Sequence, residues 1–153
     1  MTNGIAKDGL SVEDLAWRTQ ARTALQEHDH AALDALLAPH EQAWLDGARA
    51  LPGIRWRLRN VQDKALTLDE RLQQAQRWVA AAPRSYYAWL RLGACWQDAA
   101  SELRSADVAA LVEDSQWLAA QLASDHAVYA YLQAIPLSSR PALALDGIKR
   151  ITS

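Results

Sequence analysis

The chain has 153 residues, of which 50% are hydrophobic and 22% charged, a globular composition with enough length to bury a core and unlike a disordered tail. Basic residues number 16 against 18 acidic ones, a net charge of −2, which counts against a dedicated nucleic-acid binder. Cys95 is the only cysteine, so neither an intrachain disulfide nor a Cys-rich zinc site is available.

Residues 1–10 are polar and are expected to form a flexible N-terminus, with no secretory or membrane-spanning apolar run, which makes the expected location cytoplasmic. Ser11 and Asp14 resemble a capping box and open a helix to about Glu27, with Leu15, Trp17, Ala21, Ala24 and Leu25 on its apolar side. "EHDH" supplies a turn, and Asp29 caps a second helix through Leu33, Leu36 and Leu37. Pro39 is expected to kink or restart that helix before Trp44 and Leu45. "LPG" at 51–53 reads as a breaker, followed by a short helix at 54–63.

Thr67 and Glu70 form a second capping box. Behind it Leu68, Leu72, Ala75, Val79 and Ala82 step along one helical stripe. Pro83 ends that helix and Ser85 caps the next, with a break expected near 101–105. Val108, Leu111, Val112, Leu118, Ala119 and Leu122 mark another amphipathic helix. Ser124 or Asp125 is expected to restart the chain for Val128, Tyr131, Leu132 and Ile135. "IPLSSRP" is a loop, and Ser139 with Pro141 sets up a last helix over Leu145, Ile148 and Ile151. No strand-like alternation occurs, so the expected class is all-α, with about seven or eight helices in a single domain over 11–153. A solenoid needs a polar cap on its last repeat. The final apolar helix therefore either folds back as that cap or belongs to a longer array, and the second is the expectation.

Within "PRSYYAWLRLGACWQDAA" at 83–100, Pro83, Trp89, Leu92, Gly93 and Trp96 stand at the offsets of a 34-residue tetratricopeptide repeat. There the glycine admits a close antiparallel neighbour, and the large residues fill the seam. The segment resembles one rung of such a repeat. A second, poorer match runs from Pro136 to Leu145, with Ala142 in the aromatic slot and Asp146 where glycine is expected, and the first half of the chain does not fit the frame. The layout "W…P.S…A…L" also resembles a family of uncharacterised bacterial proteins built from tetratricopeptide-like helix pairs. That resemblance implies antiparallel helix pairs in a short superhelical array and a bacterial protein, and it implies no activity. In the tetratricopeptide frame Trp89, Leu92, Gly93 and Trp96 are buried, while Tyr87, Leu90, Arg91, Ala94, Gln97 and Asp98 face an open groove suited to a peptide or partner helix.

Candidate chemistry is sparse. His28 and His30 are two residues apart in a turn, not at the i, i+4 spacing of two ligands on one helix face. His40 follows a proline, and His126 sits beside Asp125, which reads better as a helix cap than as the partner of a catalytic imidazole. Cys95 lies mid-helix, away from a helix N-terminus, and reads as a small packing residue. No phosphate loop, nucleophile elbow or suggestive carboxylate pair is present, so no catalytic residue, metal or cofactor is assigned. "RWRLRN" at 55–60 is the densest basic cluster. Arg55 and Arg59 share a helix face and Trp56 adds an aromatic plane, a combination that interfaces favour, while a solvated arginine face with Trp56 and Leu58 turned inward is the first expectation.

The function expected is therefore a non-enzymatic module that binds another protein or peptide through Tyr87, Arg91, Gln97 and Asp98 or through Arg55, Trp56 and Arg59. A scaffold, a secretion chaperone for a secreted substrate and an immunity protein that neutralises a toxin all fit that description. The alternative is an enzyme or regulatory subunit with a small-molecule pocket among the tryptophans. RNA binding through Arg55, Arg57 and Arg59 is a third and weaker possibility.

Overall fold

The computed structural model describes residues 11–47, 51–105 and 114–152. The protein is all-α: α1 (Val12–Gln26), α2 (His30–Leu45), α3 (Leu51–Asn60), α4 (Leu68–Ala81), α5 (Tyr86–Ser105), α6 (Asp114–Ala134) and α7 (Ala142–Thr152), with a 3-10 turn at Ile135–Leu137. None of the described helices is long and apolar enough to cross a membrane. The chain divides into two compact units, Met1–Ala65 and Leu66–Ser153. The flexible tail expected at 1–10 and the apolar residues Val108, Leu111 and Val112 lie outside the described residues.

In the first unit, local signals place the helix ends. The Ser11 hydroxyl accepts from the Asp14 amide at 3.0 Å, and the Asp29 carboxylate accepts from the Ala32 amide at 3.2 Å, satisfying amides that open each helix. Between them His28 takes a left-handed backbone, φ 58°. The His28 amide donates to Leu25 and the Asp29 amide to Ala24, the paired bonds of a Schellman stop. The helix expected to break at Pro39 instead runs through it. Proline offers no N–H to the turn before it and loosens the bonds around it. The Trp17 indole donates to the Leu36 carbonyl, in the turn just before Pro39, at 3.1 Å, so a side chain of α1 braces α2 beside its weak point. The expected breaker "LPG" becomes the first turn of α3, which starts at Leu51. Proline is tolerated there because first-turn amides have no intrahelical partner. Leu25, Leu33, Leu37 and Val61 fill the interior.

Two histidines of this unit, His30 and His40, have pKa values below the ordinary 6.5. Burial is the larger cause in both, helped by His28 beside His30 and by Arg57 beside His40. The unfolded chain therefore takes up these protons first as pH falls. The stability carried by the neutral rings is complete above about 6.5 and is lost as pH drops through the lower folded values. Amide exchange in α1 and α2, corrected for its intrinsic pH dependence, is expected to lose protection as pH falls below about 6.5. The His30→Gln, His40→Gln double variant should flatten that loss. An unchanged slope in the double variant would remove the histidines from the account.

In the second unit, the Thr67–Glu70 box forms in both directions, at 3.1 Å each way, and the Ser85 hydroxyl accepts from Ala88. The break expected at 101–105 is absent, and α5 continues to Ser105. No Gly or Pro interrupts "SELRS". The Ser105 hydroxyl donates back to the Ser101 carbonyl at 2.8 Å, a bond a helix accommodates. The restart expected at Ser124 or Asp125 is absent too. Ser124 is buried within α6, and its hydroxyl accepts from Arg104 of α5 at 2.8 Å.

Partners along the helices order the packing. Arg104 meets Ser124 while Gln97 meets Tyr131, so α5 and α6 run antiparallel. Ala75 of α4, Leu92 and Cys95 of α5 and Ala130 of α6 share one cluster, with Leu72, Val79, Trp89 and Trp96 packed around it. Ala99, Ala100 and Ala123 form a second, joined by Leu68, Trp96 and Leu103. The α6 face toward α5 is mostly alanine, at Ala120, Ala123, Ala127, Ala130 and Ala134. Small residues there let the two backbones come close.

Candidate protein-interaction surface

The residues expected to line an open groove on α5 divide sharply. Tyr87, Leu90 and Arg91 are only 8%, 5% and 9% exposed, while Trp89 and Trp96, expected inside, are half-buried. The expected inward face holds at Leu92 and Gly93, both buried, while the expected open face is closed at Tyr87, Leu90 and Arg91. The cause is that α5 is covered on more than one side. Its Leu92 and Cys95 share a cluster with Ala75 of α4 and Ala130 of α6, and the Tyr86 hydroxyl accepts from the Ala144 amide of α7. Gln97 is half-buried and accepts the Tyr131 hydroxyl at 2.9 Å. Asp98 remains exposed, in a 3.6 Å ion pair with Arg71 that adds little at such a solvated position.

Gly93 is buried against the Tyr131 ring of α6. A Cβ there would sit 2.8 Å from the Tyr131 ring, and one on Gly147 of α7 would sit 2.4 Å from it. The phenol ring of α6 thus lies against two glycine backbones. Burial pushes its pKa up to about 12, Arg91 offsetting part of that rise, so the hydroxyl stays a neutral donor to Gln97. Cys95 is fully buried, and burial pushes its thiol pKa up despite Arg91, away from the thiolate a nucleophile needs.

What α5 and α6 leave at the surface is aromatic and aliphatic. Trp89 meets Tyr129 edge-on at 6.2 Å, and Trp96 stacks on His126 at 4.5 Å and 19°. The Trp89 indole is aimed by a 2.8 Å bond to the Pro83 carbonyl. Along α6, Leu118 is 62% exposed, Leu122 53%, Tyr129 57% and Leu132 51%. These positions fall on one helix face with Asp125 at the middle. Apart from Tyr131, which is buried, the leucines and Tyr129 of α6 face outward because its inward face against α5 is otherwise mostly alanine. Leu118, Leu122 and Leu132, expected in the interior, are surface residues. Sequence periodicity marked them as special but gave them the wrong side.

The other candidate cluster belongs to the first unit. Trp56 is half-buried against Trp17, ring centroids 6.2 Å apart. Arg57, which the expected site omitted, is its centre: its guanidinium lies 4.7 Å from the Trp17 ring and 4.9 Å from the Trp56 ring and pairs with Asp14 at 2.8 Å. That arginine holds the Asp14 carboxyl below the ordinary carboxylate range. Arg55 is half-buried and Arg59 is exposed. The cluster joins α1 to α3 by stacking and charge, with Trp56 and Arg57 turned to internal contacts. A separate open groove of about 550 Å³ lies between α1 and α2 and is lined by Thr19, Thr23, Glu27, Asp29, Ala32 and Leu36 among others, none of them tryptophan. Among the described residues no three His, Cys, Asp or Glu side chains gather closely enough to hold a metal ion.

A family model described as a domain of unknown function, DUF4034, matches residues 17–153. The chain belongs to that family. No curated protein and no solved structure matches it. The match to the DUF4034 model runs through both compact units, and its description assigns no reaction. What marks a candidate surface on this DUF4034 chain is accordingly physical: large apolar side chains held outward on a packed α5–α6 pair.

Proposed function

We propose that this chain is a non-enzymatic protein-interaction module, built of tetratricopeptide-like helix pairs, that holds another protein against the outer face of α5 and α6. The observation that carries the reading is the row of exposed Leu118, Leu122, Tyr129 and Leu132 on α6. Monomer surfaces carry scattered apolar residues, but an aligned row beside two half-buried tryptophans is the composition of an interface centre. The antiparallel succession of α4, α5 and α6, closed at Gly93, supports the repeat-like description. A bacterial, cytoplasmic setting accords with it, and a scaffold, a chaperone of a secreted substrate or a toxin-neutralising immunity protein each fit such a surface. Exposed Asp98 and half-buried Gln97 belong to α5 and provide polar groups for the rim.

The test is affinity capture of the tagged protein beside its Leu122→Glu variant from the native host, with mass spectrometry of what each retains. Leu122 is exposed, so the variant should keep its helical circular dichroism. The expected result is one stoichiometric partner held by the wild type and weakened at least about 30-fold in the variant, as for a hot-spot position. Equal retention by both would move the partner to a different surface, and a wild type that retains nothing would end the interaction reading.

A further inference from the structure

Accepting that α6 is an interaction face, the charges on it define what covers it. Leu118 and Leu122 lie on one side of Asp125, Tyr129 and Leu132 on the other, seven residues from centre to each end. The row therefore spans about 21 Å, roughly four helical turns. Asp125 is exposed at its middle and is held by Gln121, whose amide donates to it at 3.0 Å. Asp114 is exposed at the start of the helix, and no Lys or Arg occurs anywhere in "DSQWLAAQLASDHAVYAYLQA". The only other titratable groups on α6 are His126, stacked on Trp96, with the hydroxyls of Tyr129 and Tyr131.

A second copy of the chain fits this pattern badly. The row is symmetric about Asp125, so an antiparallel pairing of α6 with its twin sets the two-fold axis there. An isologous contact of that kind faces each residue of the axis with itself, placing two carboxylates together in an apolar seam, where like charges repel and partners are rejected. A cation in the same place is instead attracted and desolvated beside a carboxylate. We infer that the occupant is an amphipathic helix of a different protein, about four turns long, with apolar anchors toward both ends of its stripe and a Lys or Arg at its centre opposite Asp125.

Two labelled synthetic helices of about 15 residues test this. Both carry leucines toward the ends of one stripe, and they differ only in a central Lys or Glu. The Lys peptide is expected to bind the wild-type protein about tenfold more tightly than its Glu twin, to lose that advantage with Asp125→Asn, and to become the weaker of the two with Asp125→Lys. Asp125 is exposed, so circular dichroism should be unchanged in both variants. Equal binding of the two peptides, or binding of neither, overturns the inference. So does a wild type that sediments as a dimer which Leu122→Glu dissociates, because a second copy would then cover the face. If capture of a partner is lost with Leu122→Glu while the peptides are not distinguished, the interaction reading stands and the basic helix falls. If the peptides are distinguished while capture finds no partner, the surface chemistry is right and the biological reading falls.

Discussion

Replacing Trp78 with alanine is expected to remove about 3–5 kcal/mol of stability, the largest loss from any single truncation in this protein. Among the described residues Trp78 is the largest of the fully buried side chains, at 0% exposure, and its truncation leaves a hole that neighbouring backbone can only partly close. Domain stabilities are about 5–15 kcal/mol, so the variant should melt far earlier in urea when followed by circular dichroism. A second substitution separates volume from polarity. The Trp78 indole nitrogen is buried without a hydrogen-bond partner, a group that costs free energy to bury unpaired. Trp78→Phe discards that N–H while keeping most of the ring, so it should cost less than half as much as Trp78→Ala. If the two variants are equally damaging, the cavity account of Trp78 is wrong.

Gly147→Ala should destabilise the protein by about 1–3 kcal/mol, although alanine is the better helix former. The added methyl would lie 2.4–2.7 Å from three carbons of the Tyr131 ring, inside any tolerable contact. The ring cannot tilt away freely, since the Gly93 backbone also lies against it, so close that a Cβ there would sit 2.8–3.0 Å from three of its carbons. The sign should invert once the ring is gone. In a Tyr131→Ala background, itself several kcal/mol less stable, Gly147→Ala is expected to recover up to about 1 kcal/mol from helix propensity alone. Urea melts of the two single variants and the double variant give that coupling directly. A Gly147→Ala cost that is the same with and without the Tyr131 ring would show that the ring is not what the glycine accommodates.

The parts of this fold that were legible in the sequence are those decided within four residues. Ser11, Asp29, Thr67 with Glu70 and Ser85 each announce a helix start, because a cap is a local hydrogen bond to an amide two or three positions on. The all-α class follows from the same kind of signal. The parts that were not legible depend on residues far apart. Ser124 looks like a cap until Arg104, 20 residues earlier, is seen to use its hydroxyl. Pro39 looks like a breaker until Trp17, 19 residues before Leu36, is seen to bond there. The candidate surface was inverted for one physical reason. Periodicity assigns large apolar residues to the interior, but the close approach of α5 and α6 around Tyr131 favours alanine there and leaves leucine outside. The stacking of Arg57 between Trp17 and Trp56 was equally invisible, since Arg57 and Trp17 stand 40 residues apart in the chain. Local pattern marks Arg55 and Arg59 as readily as Arg57.

The order of helix pairings has a consequence for how the chain acquires its structure. In the first unit α1 pairs with α2 and α2 with α3, and in the second α4 pairs with α5, α5 with α6 and α6 with α7. Each principal contact joins sequence neighbours, so little loop entropy must be spent before a contact forms, the topology associated with fast folding. On a ribosome adding about 5–20 residues per second, every helix from α2 to α3 and from α5 to α7 meets a partner already synthesised. The outward leucines of α6 emerge after their own backbone has somewhere to dock, which shortens the time that nascent apolar surface stays open to aggregation.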